Sequence, residues 1–137
     1  MKIIILTLLF QLGFSQTQKE TKQWIVDKYN DYERSNEYSS ICDLDFKDSY
    51  MVVTMFGQIE KFPIKGINII EIKSVRWNSD DKIGWTSMIL RYGEDERAEL
   101  LMNADFITEG YKTRMEKAII HLVELYGGKA KIKKEAF

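Results

Sequence analysis

One stretch near the end of the chain, residues 109–126, constrains the fold more than any other. Its apolar side chains recur at steps of three and four residues, which places them on one broad face of an α-helix; they are Tyr111, Met115, Ala118, Ile119, Leu122, Val123 and Tyr126. Gly127 and Gly128 follow directly and suit a left-handed helix cap. Because such a face is stable only when it is covered, we expect this helix to pack against the β-rich region before it.

The first residues of the chain have the pattern of a secretory signal peptide. An almost unbroken apolar run, residues 3–10, follows a basic residue, and the small residues Gly13 and Ser15 precede a cut ahead of Gln16. The run is too short to span a membrane, which takes about 20 apolar residues. The pattern predicts a cleaved signal peptide over residues 1–15 and an exported protein, periplasmic or extracellular, with no transmembrane span.

The remaining residues, 16–137, are predicted to form a single domain. Hydrophobic residues make up 45% of the chain and charged residues 30%, a globular balance. Without the one lysine of the signal peptide, 19 basic and 21 acidic residues give a net charge of −2. A net charge this small gives no positive electrostatic field that would attract nucleic acid, so we exclude nucleic acid as a partner. The single cysteine, Cys42, excludes a disulfide within the chain.

The start of this domain, from Thr17 to about Tyr32, is predicted to be a first helix. Thr17 and Glu20 have the spacing of a capping box. Its apolar stripe, built on Ile25 and Tyr29, is narrow. We therefore expect this helix to lie against the outside of a larger body rather than in a core.

From Tyr38 the apolar period changes from 3.6 to 2, and the pattern predicts five or six strands joined by short polar turns. The expected strands are 41–46, 50–56, 58–65, 67–77, 83–92 and 97–102. The strand 58–65 is expected at an edge of the sheet, because it holds the only proline of the chain. Short turns imply antiparallel neighbours. This order of helix, strands and helix predicts an α+β domain. An N-terminal helix precedes a curved sheet or partial barrel, and the long C-terminal helix packs against that sheet. Residues 129–137 are expected to be a mobile basic tail.

Thiol–imidazole or serine-type catalysis would have to run through Cys42 and His121, the only residues of their kinds. A reactive cysteine needs a lowered pKa and a nearby base. Cys42 instead falls on the apolar side of a strand, where a thiol behaves as a small hydrophobe. His121 falls off the apolar stripe of its helix and is expected at the surface or half-buried. We expect no catalytic residue.

Metal binding is also not expected. Asp43, Asp45 and Asp48 have the beginning of a calcium-loop spacing, but the sixth and twelfth positions, which require Gly and Glu, are Asp48 and Thr54. The outward face of a strand accounts for Asp43 and Asp45 without a ligand. One cysteine and one histidine are too few for a zinc site, and no cofactor is expected.

The remaining charged and aromatic groups have ordinary explanations beside functional ones. The acidic pairs and triplets at 80–81 and 94–96 lie in predicted turns, where solvated charge is the default. The tail lysines, Lys129, Lys131, Lys133 and Lys134, could contact an acidic surface but are few, and a solubilising role explains them. The aromatic set Trp24, Tyr29, Tyr32 and Tyr38 could form a recognition patch, although we favour its attaching the first helix to the sheet.

Both ends of the chain resemble small, uncharacterised exported proteins of Bacteroidetes-type bacteria. The resemblance is carried by Gln16 directly after the predicted cut, by the opening residues 20–25, by the helix end 117–129 and by the closing residues 134–137. The strand number and final helix are also similar to the pleckstrin-homology-like architecture. Neither resemblance implies a known activity, cofactor or site residue.

Elimination leaves three functional hypotheses. The first is an exported, non-enzymatic binding domain for a protein or a small apolar ligand, acting through its sheet or barrel mouth. The second is a carrier of a small hydrophobic ligand or lipid, which needs an apolar cavity under the last helix. The third is a carboxylate-based hydrolase, which needs two acidic side chains converging in a cleft. The sequence does not identify the ligand-binding residues or the oligomeric state.

Overall fold

The computed structural model describes residues 2–33, 42–76 and 83–133, with side chains described for 17–33, 42–75 and 84–133. The elements in chain order are α1 (Lys2–Tyr32), β1 (Cys42–Lys47), β2 (Tyr50–Met55), β3 (Gln58–Pro63), a 3₁₀ turn (Ile64–Gly66), β4 (Ile67–Arg76), β5 (Ile83–Tyr92), β6 (Glu96–Met102), α2 (Asp105–Thr108), α3 (Lys112–Leu125) and β7 (Lys131–Ile132). The predicted α+β class, with a helix at each end of the strand region, is confirmed.

The described strands form two sheets and no closed barrel. One sheet has the order β1-β2-β3 and the other β6-β5-β4-β7. The sheets separate where Pro63 ends β3, because proline has no N–H to continue a ladder. The next N–H, of Ile64, donates to the carbonyl of Ser49 at 2.9 Å, and the 3₁₀ turn redirects the chain into β4.

The seventh strand, β7, lies in the segment that we expected to be a mobile tail. It pairs in parallel with β4, and the N–H of Lys133 donates to the carbonyl of Ile70 at 2.9 Å. The ammonium of Lys133 also lies 3.2 Å from the carboxylate of Glu71. The pairing places residues 131 and 132 in the second sheet, and the expected mobility of the tail stays a prediction. Residues 134–137 lie outside the described ranges.

The apolar face of α3 is covered as predicted. Met115, Ile119, Leu122 and Val123 are fully buried and belong to one core shared by both sheets and both long helices. The helix begins at Lys112 rather than Glu109, because the separate short helix α2 and the left-handed Gly110, with a φ of 86°, precede it.

Two glycines end α3 in the way that the sequence predicts. Gly127 has a φ of 87°, and the N–H of Gly128 donates to the carbonyl of Val123 at 3.0 Å. A Cβ atom on Gly128 would clash with the carbonyl of Lys65 in the 3₁₀ turn. The absence of a side chain at Gly128 therefore allows the end of α3 to approach the junction between the two sheets.

Helix α1 contributes more to the core than its narrow stripe predicts. Ile25 and Tyr29 are fully buried, so the expectation that the helix lies only on the outside is wrong. The amide of Gln18 also donates to the carbonyl of Leu125 at 3.2 Å, which joins α1 to the end of α3. A narrow stripe is sufficient here because α1 packs between α3 and β1.

Candidate binding site at the β2–β3 hairpin

The turn between β2 and β3 places an aromatic residue in an unfavourable backbone conformation. Met55 pairs with Gln58, so Phe56 and Gly57 form a two-residue turn. Their φ angles are 50° and 79°. Such turns favour Asn-Gly, since a bulky side chain with a positive φ crowds its own backbone. The sequence prediction placed Phe56 in a strand, and the structure corrects this.

Near its turn, the same hairpin exposes two large apolar side chains. Phe56 is 60% exposed and Ile59 is 71% exposed. Ile59 lies on the outer face of the three-stranded sheet, where it pairs with Thr54. We call Phe56 and Ile59 together the hairpin surface.

A cleft of about 380 Å³, which we call the hairpin cleft, opens beside this surface between the hairpin and β6. Its lining residues are Val53, Met55, Phe56, Gln58, Glu60, Arg97, Ala98 and Glu99. Val53 and Ala98 are buried and supply apolar surface. The cleft therefore combines apolar walls with two carboxylates and one guanidinium group.

Hydrogen bonds from β5 fix both carboxylates. The hydroxyl of Tyr92 donates to Oε2 of Glu60 at 2.7 Å, and the hydroxyl of Ser87 donates to Oε1 of Glu99 at 2.7 Å. The Tyr92 ring stacks on Phe62, with 4.1 Å between the ring centroids. Burial, the bond to Glu60 and nearby negative charge raise the pKa of Tyr92 to about 12, so it remains a donor at neutral pH.

The guanidinium group of Arg97 partly balances these carboxylates. It lies 3.8 Å from Oε2 of Glu99, and the Arg97 side chain is 56% exposed. An exposed pair at this distance is weak, about 0–1 kcal/mol. The two carboxylates and one guanidinium group leave the lining of the hairpin cleft with a net charge of −1.

A second, more open groove of about 510 Å³ runs between α1 and α3. Its lining residues are Glu20, Thr21, Trp24, Arg114, Lys117, Ala118 and His121. Here Trp24 is half-buried, whereas the charged side chains of α3 in this groove are exposed.

Cys42 and His121, the two residues through which nucleophilic catalysis would have to run, lie in different surroundings. Cys42 is half-buried at the start of β1 and contributes to raising the pKa of Tyr29, after the larger effect of burial. His121 is exposed on α3 in the groove described above.

The acidic residues that we considered as metal ligands or catalytic groups lie on exposed strand faces and in turns. Asp43 and Asp45 are exposed on the outer face of β1. Asp48 lies in the β1–β2 turn, where its carbonyl accepts hydrogen bonds from Lys22 and Tyr126. The triplet 94–96 is exposed, and the pair 80–81 lies outside the described ranges. Within those ranges, no group of three or more His, Cys, Asp or Glu side chains is arranged to hold a metal ion.

The N-terminal aromatic set is divided among three environments. Tyr29 is buried, and Trp24 lines the α1–α3 groove. Tyr32 contacts Phe106 and Tyr111, with ring centroids 5.6 and 5.3 Å away. The Tyr32 ring thus attaches α1 to the α2–α3 region, while the Tyr32 carbonyl accepts a hydrogen bond from the N–H of Asn103, directly after β6, at 2.7 Å, which also joins this end of α1 to the sheet. Tyr38 lies outside the described residues.

Sequence reasoning missed the hairpin site, although one signal was present. Phe56 and Gly57 are the two residues between two strand-like runs, 50–55 and 58–63, which is the spacing of a tight hairpin. The residue before the glycine is apolar rather than Asn or Asp, so the pattern was assigned to a strand. The hairpin cleft depends on contacts between β2, β3 and β6 that have no local signal.

No helix in the described part of the chain combines the length and the apolar content needed to cross a membrane. The chain matches no protein-family model, no curated protein and no solved structure.

Proposed function

We propose that the protein is a non-enzymatic binding domain that recognises a protein partner through its hairpin surface. The observation that carries this proposal is Phe56, which is 60% exposed and has a positive φ. Ile59 extends the apolar area on the same hairpin.

Folding alone gives no reason for a phenylalanine at this position. A bulky residue in the left-handed region costs about 1–2 kcal/mol, and an exposed ring recovers little of that by burial. Asparagine would satisfy the turn at lower cost. A partner that covers Phe56 would supply the missing burial, and aromatic residues are frequent anchors of protein interfaces.

The other two hypotheses receive less support. A carrier needs space under α3, where Met115, Ile119 and Leu122 are fully buried among their neighbours. A carboxylate hydrolase would use Glu60 and Glu99, but each accepts a hydrogen bond that holds it as a fixed acceptor. A carboxylate held in this way suits recognition of a cationic group.

We also propose that the protein is exported after removal of residues 1–15 and acts in the periplasm or outside the cell. The apolar run and the small residues before Gln16 support this. A relationship to exported Bacteroidetes-type proteins and to the pleckstrin-homology-like architecture belongs to the same proposal. The residues at the two ends of the chain, among them 20–25 and 117–129, are the basis for the first likeness, and the strand-rich region followed by a long helix is the basis for the second.

The test compares two variants in affinity capture from the envelope extract of the source cells. Phe56→Asn removes the ring and keeps a residue that the turn favours, so the hairpin is retained. Ile132→Thr removes a 39%-exposed apolar side chain from β7, away from the hairpin, and serves as the matched control. We expect a protein whose capture falls at least about tenfold with Phe56→Asn, the loss typical of an interface anchor. Its capture should be unchanged with Ile132→Thr.

The proposal fails if the same proteins are captured equally by the wild type and Phe56→Asn. It also fails if the purified mature protein carries a stoichiometric lipid, which mass spectrometry of an organic extract would detect. That second result would establish the carrier hypothesis instead.

A further inference from the structure

We infer that the hairpin cleft accepts a lysine side chain from an extended segment of the partner. This inference rests on the proposed function, because it names the chemistry that lies beside the hairpin surface in the complex.

The size and lining of the cleft fit such a side chain. Its volume of about 380 Å³ is at the lower end for ligand pockets, which are about 300–1,000 Å³. Val53, Met55 and Ala98 supply an apolar wall for the four methylene groups of a lysine stem.

The charged groups select a cation. Tyr92 holds Glu60 through one oxygen, Oε2, and a carboxylate can accept further hydrogen bonds at its second oxygen. Glu99 is held through Oε1 by Ser87, and its Oε2 lies 3.8 Å from the guanidinium group of Arg97, so Glu60 offers the freer carboxylate oxygen. A lysine ammonium has three donors and no acceptor, so it complements these carboxylates. An anionic group would meet two carboxylates and only the exposed Arg97.

The hairpin surface completes the recognition of an extended segment. Side chains alternate between the two faces of an extended chain. When a lysine enters the cleft, the residues beside it remain outside, where the exposed ring of Phe56, which lines the cleft, provides apolar contact. The expected motif is therefore a lysine between apolar residues.

The probe is a capped peptide in which a central lysine lies between two valines. Two matched peptides replace the lysine with norleucine, which has a similar stem and no charge, or with glutamate. Binding to the mature protein is followed by ¹⁵N NMR titration, which also locates the contact. We expect the norleucine peptide to bind about tenfold or more weakly, since a charged hydrogen bond has that effect, and the glutamate peptide to bind more weakly still.

Two nearly isosteric variants test the charges in opposite directions. Glu60→Gln should weaken the lysine peptide about tenfold. Arg97→Gln should strengthen it by a factor of a few, since it removes the competing cation. The NMR spectrum of each variant shows whether the fold is intact. If Glu60→Gln unfolds the protein, Arg97→Gln, whose side chain is exposed, still decides the question.

Three results would overturn the inference: equal binding of the lysine and norleucine peptides, weaker binding to Arg97→Gln, or chemical-shift changes confined to the α1–α3 groove. These results leave the proposed function intact if Phe56→Asn abolishes capture of a partner. Conversely, lysine-dependent binding without any effect of Phe56→Asn on capture would support the cleft and refute the hairpin surface.

Discussion

At the scale of single residues, Tyr29 combines full burial with an unsatisfied hydroxyl. Its OH has no hydrogen-bond partner among the described residues, and burial raises the pKa of the phenol. A buried polar group without a partner costs about 1–3 kcal/mol. Tyr29→Phe should therefore increase the free energy of unfolding, by roughly 1 kcal/mol. Urea denaturation measures this change, and a loss of stability would show that the hydroxyl is satisfied by a group not yet identified.

Glu116 is a buried carboxyl group on α3. It is 4% exposed, and burial raises its pKa above the ordinary value of 4.5, with Lys112 acting in the opposite direction. Between the unfolded and folded pKa the folded state binds more protons, so stability falls as pH rises. We expect Glu116→Gln to remove this pH-dependent loss of stability, because glutamine carries no ionisable group.

The measurement for Glu116 is the difference in unfolding free energy between Glu116→Gln and the wild type across pH. The difference should be near zero below pH 4.5, rise with pH and reach a plateau above the folded pKa, with the variant more stable. A difference that does not change with pH would show that the carboxyl group is not penalised by burial. Lys112→Gln is the companion variant: it removes the opposing charge and should raise the pKa further.

At the scale of elements, the β2–β3 hairpin separates the requirements of folding from those of binding. Phe56→Asn replaces a bulky residue at a φ of 50° with one that tolerates this conformation. The variant should be more stable than the wild type by roughly 1 kcal/mol, although it loses partner capture. Thermal and urea unfolding measure the gain. A lower stability would mean that the exposed ring contributes to folding, and the argument for a partner would lose its basis.

The elements that the sequence predicts are those whose signal is local. The period of α3 identified its buried face, and alternation in β1 separated buried Leu44 from exposed Asp43 and Asp45. Gly127 was identified as a cap because few other residues adopt its φ. In each case the pattern lies within about ten residues of chain.

The features that the sequence did not predict depend on contacts between distant segments. Strand β7 has only two residues, too few for a period, and forms because β4 offers an edge. The division into two sheets follows from how Pro63 and the 3₁₀ turn direct the chain. The hairpin cleft is formed by residues far apart in the chain, such as Val53 and Ala98, which are 45 positions apart. No local pattern specifies that distance.

At the scale of the whole molecule, α1 joins the predicted signal peptide to the folded domain without a break. The helix extends over Lys2–Tyr32, and the predicted cut ahead of Gln16 falls inside it. Contacts that attach α1 to the rest of the protein are described beyond that cut: Gln18 reaches Leu125, and Ile25 and Tyr29 enter the core. A chain that begins at Gln16 therefore retains them.

We expect the protein recovered from the envelope or the medium of the source cells to begin at Gln16, and the chain 16–137 to unfold in one cooperative transition. The second half of α1 supplies core side chains, so it should remain helical after cleavage because tertiary packing, more than helix length, stabilises such segments. Intact-mass measurement determines the N-terminus. A variant with Ser15→Leu, which removes the small residue before the cut, should accumulate with residues 1–15 attached. Recovery of uncleaved wild type from the cytoplasm would refute the export proposal, and noncooperative unfolding of 16–137 would show that the first turns of α1 are part of the fold.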